Sequence, residues 1–213
     1  MIEAMFRDRE EASEALASVL AGTVSGPATV LGVPRGGVVV AVPVARALDA
    51  PLDVVIPRKL GAPGNPELAI GAVAPGVTVV HERAVRQLGV PREYIEEEAL
   101  RQQREIERRE AAYRSGRAPA PIEGRTAVVV DDGVATGATA VAAVRWARAA
   151  DAARVVFAAP VGPPTARARL EPECDEVVLL IEPRAFFAVG EWYREFDQVS
   201  DEQVIGLLEA ANA

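Results

Sequence analysis

Residues 126–140 read TAVVVDDGVATGATA. A run of apolar β-formers stops at two adjacent aspartates, Asp131 and Asp132, and a loop made almost wholly of small residues follows. The apolar run predicts a strand buried on both faces, with the acids at its carboxyl end. Gly133 to Thr139 then lead into a helix, and backbone N–H groups at a helix N-terminus form an anion site. Small side chains let a phosphate approach that backbone, and Thr136 and Thr139 add hydroxyl donors. The two carboxylates repel a phosphate laid on top of them. They suit a neighbouring diol such as a ribose, or a Mg²⁺ held directly or through water. A phosphate on the loop with a diol beside it describes a ribose 5-phosphate. The ordinary alternative is a strand-end Asp that caps a helix after a Gly-rich turn. Two acids followed by Gly-x-x-Thr-Gly-x-Thr weigh against it. A Walker loop is excluded because Ala138 stands where its lysine belongs, and GVPRGG at 32–37 does not match a dinucleotide fingerprint.

The rest of the chain sets the frame. Its 213 residues are half hydrophobic and a quarter charged, which suits one ordered α/β domain with room for a small subdomain. A net charge of −8 argues against a broad basic surface, so no nucleic-acid partner is expected. One cysteine, Cys174, excludes a disulfide framework, and one histidine, His81, argues against a His-rich metal site or a Ser-His-Asp triad. The acidic, amphipathic start lacks signal-peptide architecture and no apolar stretch is long enough for a membrane span, so a cytoplasmic protein without membrane contact is expected.

Along the chain, residues 7–21 show helical spacing, with Ala15, Leu16, Val19 and Leu20 on one face. Strands are expected at 28–33, 52–57, 126–131, 154–160 and 176–182, and helices at 37–48 (despite Pro43), 137–149 and 163–170. RKLGAPGNPE at 58–67 is rich in breakers and reads as an exposed, mobile loop. LAIGAV at 68–73 and VTVV at 77–80 read as a hairpin. Residues 91–114 predict a long, solvated helix laced with i,i+4 ion pairs. SDEQ at 200–203 caps a last helix. Apolar strands alternating with helices mean a mostly parallel, doubly wound central sheet, with ligands expected at the loops after residues 33, 57 and 131. The division is a core over 1–182 and a small C-terminal hood over 183–213.

VVVDDGVATGAT resembles the phosphoribosyl-pyrophosphate (PRPP) motif of the type I phosphoribosyltransferases, and the order of elements over about 28–182 is similar to that fold. The resemblance implies that Asp131 and Asp132 hold the ribose hydroxyls and a Mg²⁺ cofactor, and that Val134 to Thr139 (with Gly133 before them, and Ala135, Gly137 and Ala138 among them) cradle the 5-phosphate. It makes GVPRGG the pyrophosphate loop, with Arg35, Gly36 and Gly37 as binding groups and a non-proline cis peptide often found there. It gives Arg58 and Lys59, the only lysine, the task of neutralising departing pyrophosphate. FFAVGEWYREF at 186–196 is partly like the hood of purine-type members, which makes Phe187 the base-stacking residue and leaves Phe186, Trp192, Tyr193 and Phe196 as hood packing.

Two positions depart from members acting on 6-oxopurines. Ala135 stands where they carry a proton-accepting acid, and Arg194 stands where their hood carries another. Two readings follow. One is a Mg²⁺-dependent enzyme of nucleotide salvage that transfers phosphoribosyl from PRPP to an unidentified nitrogenous base and releases pyrophosphate. The other is a PRPP- or nucleotide-sensing regulator on the same fold with little turnover. A homodimer is the family expectation.

Overall fold

The computed structural model describes residues 5–212. Five strands form a parallel sheet in the order β2-β1-β6-β7-β8: β1 (Ala28–Gly32), β2 (Leu52–Val54), β6 (Thr126–Val130), β7 (Arg154–Val161) and β8 (Glu176–Ile181). β3 (Arg58–Ala62), β4 (Asn65–Ala74) and β5 (Val77–Val80) form a separate antiparallel sheet. The helices are α1 (Arg9–Thr23), α2 (Gly36–Ala47), α3 (Glu82–Leu88), α4 (Arg92–Arg114), α5 (Ala138–Ala149), α6 (Pro164–Leu170) and α7 (Asp201–Ala211).

Alternation along the parallel strands sorts their side chains onto two faces. Val30, Val128, Val130 and Val156 join a core with Leu16 and Leu20 of α1, Val40 and Val44 of α2 and Leu208 of α7. Leu31, Val129 and Phe157 point the other way, into a core with Val141 and Val144 of α5 and Leu170 of α6. Both faces are therefore covered, as the apolar runs require. Burying a side chain such as Phe157 contributes about 2 kcal/mol.

Register positions the site. Gly32 lies opposite both Val54 and Val130, and Val130 lies opposite Ala158. The carboxyl ends of β2, β1 and β6 thus finish in one row. From β1 the chain moves outward to β2 on one side and returns as β6 on the other, so a crevice opens between the loops that follow β1 and β6.

Several expectations are corrected. Residues 58–67, expected as a loop, form a strand, a two-residue turn at Pro63–Gly64 and the start of β4. The breakers serve the hairpin: Gly64 takes a positive φ in the turn, and the register shifts on either side of Gly61, where a Cβ would meet Pro66 at 2.7 Å. Leu60 and Ala62, being buried, hold it down. The inner face of α1 is Ala12, Ser13, Leu16, Ala17 and Leu20; Ala15 and Val19 face outward. α3 was not expected, and β2 ends at Val54 rather than Pro57. The predicted capping box at Ser200 and Gln203 is present, α2 runs through Pro43, and α4 spans the charged stretch.

Residues 183–200, with Phe6 and Arg7, make the hood. Phe6, Trp192 and Tyr193 form a small core that Phe186 and Val189 pack against. Phe6 N–H donates to Trp192 O, and Arg194 N–H donates to Phe6 O, each at 3.0 Å. α7 belongs to the main body instead, through Val204 and Leu208.

Candidate active site

Asp131 follows β6 directly, and its N–H donates to Ala158 O at 3.1 Å. The Asp131 carboxylate accepts from Asp132 N–H at 2.9 Å, which turns the chain out of the sheet. Across the crevice Val33 N–H donates to Val130 O at 2.8 Å and draws the GVPRGG loop against the acids. The approach is too close for side chains. A Cβ on Gly36 would lie 1.9 Å from Asp132 Oδ2, and one on Gly37 would lie 2.7 Å from Val130 O. These two glycines are what the fit demands. The Pro34–Arg35 peptide within the GVPRGG loop is cis.

A cavity of about 380 Å³ opens here, lined among others by Arg9, Arg35, Asp131, Asp132, Thr139 and Phe196. Arg9, at the start of α1, is the member that sequence reasoning missed. Its Nε donates to Asp132 Oδ2 at 2.8 Å, its Nη1 donates to Asp197 O at 2.8 Å, and its guanidinium lies 3.8 Å from the Phe196 ring centroid. Tyr193 O–H donates to Asp132 O at 2.6 Å and its ring stacks on Phe196 at 5.0 Å. The Arg9 and Asp132 side chains are only 11% and 15% exposed, so this ion pair is shielded from screening. Burial first, and the Asp132 charge second, raise the Asp131 carboxyl well above its ordinary range; Arg9 opposes the shift.

Beyond the acids, Val134 N–H donates to Val161 O at 2.9 Å and anchors the loop. Gly133 and Val134 are buried, while Ala135 and Thr136 are exposed. Gly137 takes φ +76° as the residue that precedes α5, whose first turn has no side-chain cap. Gly137, Ala138 and Thr139 thus offer first-turn amides without intrahelical acceptors beside the acid pair, an anion site strengthened by the helix dipole. Arg169 of α6 donates through Nη1 to Thr136 O at 2.9 Å, a further cation that the sequence did not flag.

Arg35 lines the cavity, exposed, with Nη1 3.8 Å from Asp201 Oδ1. Arg58 and Lys59 are not part of that wall, although Pro57 is. Arg58 Nε donates to Gln102 Oε1 of α4, and Lys59 is exposed on the opposite face of β3. Phe187 is 80% exposed and does not line the cavity; Phe196, expected as hood packing, does. Among the described residues no three His, Cys, Asp or Glu side chains gather as a metal cage. Two carboxylates at an open cleft nonetheless fit the Mg²⁺ habit of one or two protein ligands, with substrate oxygens and water completing the shell.

A family model described as the phosphoribosyl transferase domain matches residues 7–195, and so takes in both loops, the acid pair and the hood as far as residue 195. The chain belongs to the phosphoribosyl transferase domain family. Among its relatives in this family, the Mycobacterium tuberculosis H37Rv protein named "Putative phosphoribosyl transferase Rv0571c" is 47% identical over 209 residues, covering 98% of this chain and 47% of the relative. The chain spans about half the length of the curated relatives it matches. The crystal structure of TT1426 from Thermus thermophilus superposes with a TM-score of 0.83 at 46% identity, over 98% of this chain and 99% of that one. A hypothetical protein from Neisseria gonorrhoeae with bound ppGpp has a TM-score of 0.52 at 15% identity, over 98% and 99% of the two chains, and shows the fold alone. The type I phosphoribosyltransferase resemblance read from VVVDDGVATGAT is thereby upheld at the level of family and fold. No helix among the described residues is long and apolar enough to cross a membrane.

Proposed function

We propose that this phosphoribosyl transferase domain transfers the phosphoribosyl group of PRPP to a nitrogenous base, with Mg²⁺ as cofactor. The observation that carries the reading is the abutment of the acid pair, the α5 N-terminus and the GVPRGG loop around one cleft. The 5-phosphate takes the amides of Gly137 to Thr139 and the hydroxyls of Thr136 and Thr139. The ribose diol takes Asp131 and Asp132. Arg35 and the amides of Gly36 and Gly37 meet the pyrophosphate. Lys59, two residues beyond Pro57 in the cavity wall, is the cation reserved for departing charge. Arg58 is turned away from that task by Gln102.

A base nitrogen attacks C1, and the C1–O bond to pyrophosphate breaks with its electron pair leaving on oxygen. The chain's part is to align the two and to stabilise developing charge. Mg²⁺, held by Asp131 and Asp132 or their waters, would neutralise pyrophosphate oxygens. Arg9 must release Asp132, wholly or in part, before that carboxylate meets a diol. Asp131→Asn/Asp132→Asn is expected to weaken PRPP binding by about a hundredfold, the size of two lost charge-assisted hydrogen bonds. Calorimetry checks this, and unchanged affinity would falsify the reading.

A second reading, a nucleotide sensor with little turnover, is favoured by two observations: Ala135 supplies no acid, and Phe187 stands away from the cleft. Pyrophosphate release from PRPP across a panel of bases separates the two. Binding without release for every base selects the sensor.

A further inference from the structure

α4 and the start of β3 enclose a second cavity, of about 410 Å³, lined by Arg58, Arg101, Gln102, Arg104, Glu105 and Arg108. Four guanidiniums and one carboxylate meet there, in a chain whose net charge is −8. The helix carries Arg101, Arg104 and Arg108 on one side because spacings of three and four residues share a helical face. The lone carboxylate is already shared: Glu105 accepts from Arg108 Nε and from Arg109 Nε, each at 2.8 Å. Arg101 is held by Glu98, and Gln102, itself buried, donates to Glu98 Oε1 at 2.7 Å. Among the described residues Arg58 has no acid for a partner; its Nε donates to the neutral Gln102. Burial first, and the Arg109 charge second, make its cationic form less favourable than usual. Arg104 is exposed and takes part in no ion pair or side-chain hydrogen bond among the described residues.

A solvated helix face explains alternating Arg–Glu pairs. It does not explain why a partly buried arginine from another sheet is brought, with a neutral partner, against three more. Positive charge gathered in a concave, partly desolvated site needs anions to balance it. The planar forks match phosphate oxygens in pairs, and the volume suits a ligand the size of a nucleotide.

We propose that this cavity is a second anion site, separate from the acid pair, for a small molecule carrying two or more linked phosphates. It does not rest on the acid pair's being a PRPP site. The chain's overall negative charge disfavours a nucleic acid as the ligand.

The probe is inorganic tripolyphosphate without divalent cation, measured by calorimetry at low ionic strength. Three proteins are compared: wild type, Arg104→Gln/Arg108→Gln, and Arg35→Gln, which removes the cation of the first cleft. Both arginines are exposed and Glu105 keeps Arg109, so the first variant is expected to fold; circular dichroism and an unchanged melting temperature verify it. The proposal expects a binding event that survives in the Arg35→Gln variant and weakens about tenfold or more in the Arg104→Gln/Arg108→Gln variant, as the loss of charge-assisted hydrogen bonds implies. Arg104→Lys/Arg108→Lys should recover part of the affinity, since charge returns without the fork. Equal affinity in wild type and the Arg104→Gln/Arg108→Gln variant overturns the proposal. So does the absence of tripolyphosphate binding by wild type, or binding that disappears in Arg35→Gln.

Discussion

Asp131 and Glu105 are carboxylates on the rims of two cavities, yet their surroundings drive them in opposite directions. Burial and the Asp132 charge push Asp131 up, whereas hydrogen bonds from Arg108 and Arg109 bring Glu105 down to about 2. The difference lies in how each cavity is assembled. Around Glu105 the charges sit on one helix, with a single visitor, Arg58, from β3. Around Asp131 they come from Arg9, Arg35 and the end of β6, with the uncharged Phe196 and Gln198 of the hood closing the wall. Local assembly puts each acid next to bases at helical spacing. Assembly from remote segments leaves two acids side by side, with one arginine brought 123 residues along the chain to balance them.

The largest expected effect tests that remote balance. Arg9→Ala leaves Asp132 and Asp131 poorly compensated in a shielded site, and loss of about 3 kcal/mol in urea unfolding is expected. A change below about 0.5 kcal/mol would mean that the pair behaves as a surface ion pair, and the contrast with α4 would vanish. Gly36→Ala comes next. Its Cβ would collide with the Asp132 carboxylate, and overpacking of this kind costs about 2 kcal/mol. In an Asp132→Ala background the cost should shrink, and additive effects in the double-mutant cycle would show that the collision is relieved elsewhere.

The two carboxyls supply a finer comparison by NMR titration of their side-chain carbons. Asp131 should titrate well above its ordinary 3.8, and Glu105 near 2. The signs of their stability effects are opposite. Folded Asp131 keeps a proton that the unfolded chain has released, so its contribution falls as pH rises from 3.8 through the folded value. Glu105 contributes fully above its ordinary 4.5, and loses that contribution as pH falls toward 2. Asp131→Asn should flatten the first dependence and leave the second. The smallest effect belongs to Arg104→Gln, expected to change stability by less than about 0.5 kcal/mol because its exposed side chain has no partner to lose. A larger loss in thermal unfolding would reveal a structural task for Arg104.

Much of this was legible in the amino acids. Val128 to Thr139 announced a buried strand, an acid pair and a helix start, and each stands where the pattern put it. Ser200 and Gln203 form the capping box that SDEQ spells. Where the reading erred, local chemistry had two outcomes. Glycine and proline in RKLGAPGNPE suit a loose loop as well as a bulged hairpin, and burial of Leu60 and Ala62 selected the hairpin. Phe187 and Phe196 are alike in composition and neighbourhood; only the path of the hood puts Phe196 beneath Arg9 and leaves Phe187 in solvent.

By itself, then, the sequence determined the five strands of the parallel sheet, most of the helices and the chemistry of the loop after β6, because hydrophobic period, capping and small-residue runs act over a few neighbours. Tertiary structure alone decided which distant charge meets Asp132, which aromatic borders the cleft and which way Arg58 turns. Those choices depend on segments separated by many residues being packed into contact, and no local pattern in RDREE distinguishes Arg9 from Arg7 beside it.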